Sequence, residues 1–148
     1  MENNIRIRIG VVLVKDGKIL LIKQRKDDKE YWLVPGGGVD YGEKISVCAK
    51  REIKEETNLD IELKHFLFPY ESININKGKH VLNFFFLAEI LGGELELGKE
   101  ENLVDLKFFE FEKLKEIILY PDIADYLIEV KNNNFKPLNK ILESIWID

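Results

Sequence analysis

Cysteine is nearly absent from this chain: Cys48 is the only one in 148 residues. No intrachain disulfide can form, which sets aside the disulfide-stapled small folds of oxidising compartments. Cys48 is instead expected to behave as a small buried hydrophobe. Histidine is scarce too, and His65 and His80 lack the partner spacing of a histidine-built metal centre. No apolar run approaches the length that spans a bilayer, and the opening MENNIRIRIG lacks the unbroken apolar stretch of a secretory signal. An unexported, cytoplasmic protein without membrane contact is therefore expected. With only 4 Pro and 10 Gly, no low-complexity tract and no internal repeat, collagen-like, disordered and solenoid chains are set aside as well. A formal charge of -5 lacks the Lys/Arg excess with which proteins hold a phosphate backbone, so no nucleic-acid polymer is expected as a partner.

What is present suits one globular domain over residues 1–148: 45% hydrophobic and 33% charged residues in a chain long enough for one real core. The charge is uneven. Residues 1–30 carry eight basic side chains (Arg6, Arg8, Lys15, Lys18, Lys23, Arg25, Lys26, Lys29) against five acidic ones, so the negative charge lies further along. A small anion could be held by the first part and a metal by the second.

Ile5 to Ile9 alternate with arginine and run into GVVLV, the period of a strand that starts half exposed and becomes buried. Asp16-Gly17 supplies a tight hairpin turn and Ile19–Lys23 the return strand. Residues 26–30 read as a charged loop, and Trp32-Leu33-Val34, with Trp32 packing beneath the glycines, leads into Pro35-Gly36-Gly37-Gly38, where regular structure should stop. From Glu43 to Thr57 there is neither Pro nor Gly, and Ile45, Ala49 and Ile53 form the core stripe of an amphipathic helix, ended by Asn58 in a left-handed conformation. Strands are expected at 61–70, 80–90 and 103–109, with Gly92-Gly93 as a turn. Helical stretches should follow Phe111 and Pro121, with Pro121 in a first turn, and a last short helix should cover 137–146. Hairpins mixed with helices, without regular βαβ alternation, make the class α+β.

The chemistry concentrates in GGVDYGEKISVCAKREIKEETNL, residues 37–59. On a helix Glu52, Glu55 and Glu56 fall within roughly a 100° arc, so three mutually repelling carboxylates project from one side and invite a cation. Mg²⁺ prefers such oxygen ligands and has its shell completed by phosphate, while Gly36, Gly37 and Gly38 let backbone approach a metal or phosphate closely. A solvated helix laced with Lys/Glu pairs is the ordinary reading of this composition. Spacing decides against it. Gly37, five residues, Glu43, seven residues, Arg51-Glu52-Ile53-Lys54-Glu55-Glu56-Thr57-Asn58-Leu59 resembles the box of the Nudix hydrolase family, G-x5-E-x7-R-E-U-x-E-E-x-G-U with U aliphatic, and WLVPGG resembles the family's approach to it. The one departure is Asn58 in place of Gly, at a helix end that tolerates either.

The resemblance covers about residues 5–130 and implies an α/β/α sandwich around a mixed sheet, with Mg²⁺ (or Mn²⁺) as cofactor. It implies Glu52, Glu55 and Glu56 as metal ligands with the Gly37 carbonyl, Arg51 orienting a neighbouring glutamate, and Glu43 tying the loop to the helix or meeting metal through water. Glu100 and Glu101 are the candidates for a further distal acid, as ligand or base. A metal-activated water would attack one phosphorus of a diphosphate. Arg8 and Arg25 are candidates for substrate phosphate, with Gly36 and Gly37. Phe66, Phe68, Tyr70 and Phe84 are core or base-stacking aromatics.

A MutT-like hydrolysis of (deoxy)nucleoside triphosphates, oxidised ones included, is the first-choice activity. ADP-ribose or a nucleotide sugar is second and dinucleoside polyphosphates third. From another class stands a nucleotide-sensing module without catalysis, which would be expected to lose box glutamates that this chain keeps. An isoprenoid diphosphate isomerase lacks an evident Cys/His pair for proton transfer. A homodimer could use the Phe84–Leu87 run or the tail Ile145-Trp146-Ile147.

Overall fold

The computed structural model describes residues 4–146. Strand β1 (Ile5–Lys15) turns through Asp16 and Gly17, both at positive φ, into β2 (Lys18–Lys26). The charged segment expected as a loop is mostly strand. Only Asp27 and Asp28, again both at positive φ, turn β2 into β3 (Lys29–Leu33), because two carboxylate-bearing residues that tolerate the left-handed region suffice for a tight hairpin.

Regular structure also persists into the glycines. Gly36–Gly38 form β4, antiparallel to β1 with Ile9 opposite Gly37 and Gly10 opposite Gly36. A side chain at Gly36 is impossible: its φ is 154° and a Cβ would lie 1.9 Å from the Ile9 carbonyl oxygen, so glycine here permits close pairing rather than ending it.

Helix α1 (Ile45–Thr57) packs Cys48, Ala49 and Ile53 against Ile9, Val11, Leu13 and Leu20. Ile45, expected in that stripe, is 44% exposed, since it opens the helix beyond the sheet's cover. The helix ends at Asn58 (φ 63°, ψ 11°), whose N–H donates to the Lys54 carbonyl and whose side-chain amide donates to the Glu94 carbonyl at 2.9 Å. Asn thus supplies both the left-handed turn and a tether.

Strands β5 (Asp60–Asn74) and β6 (Lys79–Gly92) form a long antiparallel hairpin. β6 lies parallel to β1, in register Arg8 with Asn83 and Arg6 with Val81. β7 (Leu103–Glu110) pairs with β2, completing a second layer of β2, β3 and β7 that meets β1 only near its hairpin. A 3₁₀ turn (Phe111–Glu116) and α2 (Ala124–Asn132) then cover the face opposite α1. Pro121 precedes this helix instead of standing in its first turn.

The last short helix is not formed: Glu143–Trp146 is β8, parallel to β5. The open edge of β5 offers unpaired backbone groups, and pairing there outweighs the weak helical propensity of so short a segment. The tail considered above as core or dimer contact lies outside the described side chains.

The core has two halves, one per face. Val12, Phe68, Phe85 and Leu127 fill the α2 side, and Phe68 and Phe85 are fully buried with ring centroids 5.0 Å apart; each such ring stabilises by roughly 1.5–3 kcal/mol. Tyr70 joins this core, while Phe66 and Phe84 are half-buried on the other side. Trp32 packs edge-on against Phe109, not beneath the glycines. Mixed sheet and covering helices give the α+β, α/β/α architecture expected.

Candidate active site

The box residues meet where β4 passes the middle and second half of α1. Arg51 is the hub. Its guanidinium grips both oxygens of Glu43 (2.8 and 2.9 Å), donates to Glu52 Oε1 at 2.8 Å and to the Gly38 carbonyl at 3.3 Å, and lies 3.7 Å from Glu55. Bidentate pairing fixes the angle of a planar group, so Arg51 ties the loop before α1 to the helix itself. Glu43 also accepts the Asp40 N–H at 3.1 Å, and with Arg51 beside it the carboxyl is lowered to about 2. The same contact raises the Arg51 guanidinium.

Glu52 sits hard against the glycines: a Cβ on Gly37 would lie 2.2 Å from its carboxyl carbon. Burial pushes the Glu52 carboxyl up, Arg51 opposes this, and Glu55 and Glu100 push further up. Glu56 is 5% exposed and accepts the Gly36 N–H at 2.8 Å. Burial lifts it to about 7 against the pull of Arg8 and of that N–H, with Glu52 and Glu100 adding to the rise. Acids that burial and like charge hold above their ordinary range are poised for a cation.

Among the described residues no three acidic, histidine or cysteine side chains already converge as a metal cage, since Glu52 leans to Arg51 and Glu56 to Gly36. The donor chemistry nevertheless fits a hard divalent ion, with carboxylate and carbonyl oxygens and, in Glu43, Glu52 and Glu55, more negative charge than the one Arg51 they share can neutralise. Cys48 donates no such ligand: it is buried, its thiol is pushed up to about 11 by burial, and it points at the Gly37 and Gly38 carbonyls.

A cleft of about 750 Å³ opens beside these glutamates, walled by Gly36, Gly37, Glu52, Glu56 and Glu100 on one side. Its other walls carry Arg6, Arg8, Arg25, Lys26 and Lys79. Arg8 is half-buried, donates to the Val34 carbonyl at 2.7 Å and has its guanidinium lowered by burial. Arg25 lines the cleft but is paired with Glu30 (Nε to Oε2, 2.9 Å).

Glu100 and Glu101 are separated by the fold. Gly98 donates to the Glu56 carbonyl and Glu96 to the Thr57 carbonyl, which pins the 94–98 segment to the end of α1. Glu100 consequently lines the cleft with Glu52 and Glu56, and a neighbouring hollow with Glu55. Glu101 lines neither. His65 bonds the Phe135 carbonyl, and His80, which lines the same cleft, is paired with Glu71.

Lys26, Lys79, Ser72 and Asn83 in the same cleft were not singled out from the sequence. Lys26 and Lys79 stand in hairpins 53 residues apart, and no periodicity signals that two turns meet.

Residues 4–130 match the NUDIX domain family. An ADP-ribose pyrophosphatase of Methanocaldococcus jannaschii is 33% identical over 82% of this chain and 72% of its own. An RNA pyrophosphohydrolase of Pelagibacter ubique is 30% identical over 96% of this chain and 95% of its own. Among solved structures, a MutT NUDIX hydrolase from Burkholderia pseudomallei superposes with TM-score 0.66 at 31% identity, over 74% of this chain and 85% of that one. A NUDIX hydrolase from Nitrosomonas europaea reaches TM-score 0.79 at 17% identity, over 92% and 94%.

Proposed function

From the premise that the chain belongs to the Nudix family and is a hydrolase of nucleoside diphosphate-linked compounds, we propose that its substrate is a nucleoside triphosphate, cleaved to monophosphate and pyrophosphate. The observation that carries this reading is the charge of the cleft near the glutamates: Arg6, Arg8 and Arg25 line it together with Glu52, Glu56 and Glu100. A tetra-anionic triphosphate gains more from that wall than the dianionic linkage of a nucleotide sugar does.

Nudix hydrolases need divalent metal, and here Glu52, Glu55, Glu56 and the Gly37 carbonyl would hold it, with Mg²⁺ first and Mn²⁺ second. Such an ion supplies positive charge to the phosphate oxygens and acidifies water. Arg51 keeps Glu52 turned to the cleft and Glu43 keeps Arg51 in plane; both are positioning residues. Arg8 neutralises the phosphates that lie beyond the glutamates. Glu100, bordering both the cleft and the hollow of Glu55, takes the proton of the attacking water. The water oxygen bonds to one phosphorus as the anhydride P–O bond breaks, and the electron pair leaves with pyrophosphate.

ADP-ribose is a second reading, favoured by the name of the 33% identical relative. Incubation with Mg²⁺ and dNTPs, 8-oxo-dGTP, ADP-ribose, nucleotide sugars and Ap4A, with Glu55→Gln as control, separates the two. Pyrophosphate from triphosphates supports the proposal. AMP with ribose 5-phosphate as the dominant product replaces it with the second reading, and binding without turnover would make the protein a sensor.

A further inference from the structure

The cleft has a second cationic pole that the cleaved phosphates do not use. Lys26, at the end of β2, and Lys79, at the start of β6, both line it, and Lys26 is the group that acts most strongly on Lys79. Two like charges held together repel, and the Lys79 ammonium is lowered to about 8, first by Lys26 and then by burial. Among the described residues neither makes an ion pair with a carboxylate, and Asp27 acts on Lys79 only at longer range. A pair of this kind is stabilised by an anion placed between the two groups.

The register sets its distance from the first pole. Arg8 stands beside Asn83 on the neighbouring parallel strand, and Lys79 is four residues before Asn83, about 13 Å along the strand. A nucleoside bridges that separation, and a phosphoric anhydride does not. The floor between the poles is neutral: Asn83, then Val81 beside Ser72. Arg6, the charge that crosses this stretch, leans toward Gly38 instead. Ser72 is 7% exposed and its hydroxyl has no hydrogen-bond partner, while Asn83 donates one N–H to the Tyr70 carbonyl. One turn about the Ser72 Cα–Cβ bond offers the hydroxyl to a ligand, and unsatisfied groups of this kind are normally explained by one.

We infer that Lys26 and Lys79 form a subsite for a phosphate carried one nucleoside away from the scissile anhydride, with Asn83 and Ser72 under the intervening sugar or base. The ligand chemistry is a 3′-phosphate on a 5′-polyphosphorylated nucleoside. It occurs in free 3′-phosphorylated nucleotides and in the first phosphodiester of a 5′-triphosphorylated RNA end. This rests on the hydrolase reading above.

The test compares three substrates, GTP, GTP bearing a 3′-phosphate, and the dinucleotide pppGpA, on the wild-type enzyme, the Lys26→Ala/Lys79→Ala double variant and the Lys26→Arg/Lys79→Arg variant. Wild type should show a KM about tenfold lower for a substrate with the extra phosphate, as one charge-assisted contact implies. The alanine variant should lose that preference and keep its GTP kinetics, and the arginine variant should restore it. A preference for both extended substrates identifies the phosphate alone as the determinant, and one for pppGpA alone identifies the RNA end. Equal KM values for GTP and both extended substrates in the wild type, or an unchanged preference in the alanine variant, would overturn the inference. If wild type cleaves none of the three, the triphosphate reading itself has failed. A filter-binding assay of 3′-phosphorylated GTP then still reads the subsite: wild type binding no tighter than the alanine variant overturns it, tighter binding upholds it.

Discussion

The Glu56 carboxyl offers the sharpest test of the site's electrostatics. It is buried, accepts a hydrogen bond from Gly36 and is lifted to about 7 from an ordinary 4.5. Between those two values the metal-free folded protein binds a proton that the unfolded chain does not. Stability from this group is therefore complete below about pH 4.5 and is lost as pH rises through about 7. The interval of about 2.5 pH units corresponds to at most ~3 kcal/mol, or ~6–12 °C in Tm for a chain of this size. Glu56→Gln removes the ionisation yet keeps an oxygen for the Gly36 N–H. In EDTA, the variant should melt together with wild type at pH 5 and up to ~6–12 °C higher at pH 8.5. Added Mg²⁺ at pH 8.5 should stabilise wild type more than the variant, since the ion binds only the charged oxygen well. Circular dichroism melts at five pH values suffice, and a difference in Tm that stays constant from pH 5 to 8.5 would refute the reasoning.

Gly37→Ala forces the Glu52 carboxylate aside, because the new methyl would overlap it at 2.2 Å; kcat/KM should fall ~10²-fold while far-ultraviolet circular dichroism remains that of the native fold. Glu100→Gln should lower kcat by ~10²–10³-fold and Glu101→Gln should leave it unchanged, so steady-state kinetics that find the two equal would remove Glu100 from the chemistry. Glu43 is held at about 2 by Arg51, so its contribution to stability is present above about pH 4.5 and is lost as pH falls toward 2. Urea midpoints of Glu43→Gln should accordingly lie below wild type at pH 7 and approach it at pH 2.5.

Elements whose signals are local can be read from the chain alone. The first hairpin follows from alternation and Asp16-Gly17, α1 from spacing and the Asn58 end, and the positions of Glu52, Glu55 and Glu56 on one side of the helix from its pitch alone. The box spacing carried the family in the same way, because a loop and helix that fold as one local unit keep their chemistry at fixed intervals. Features that depend on a neighbour absent from the local segment emerge only in the fold. Gly36–Gly38 became a strand because β1 lay beside them, and 143–146 because β5 had a free edge. Glu100 and Glu101 are chemically identical and adjacent, so only the hydrogen bonds that pin 94–98 to α1 could separate them. The pairing of Lys26 with Lys79, and the 13 Å or so of neutral floor between that pair and Arg8, depend on the parallel register of β1 and β6. Such a register is a contact between distant segments, set by the burial of both strands at once, and no short stretch of sequence encodes it.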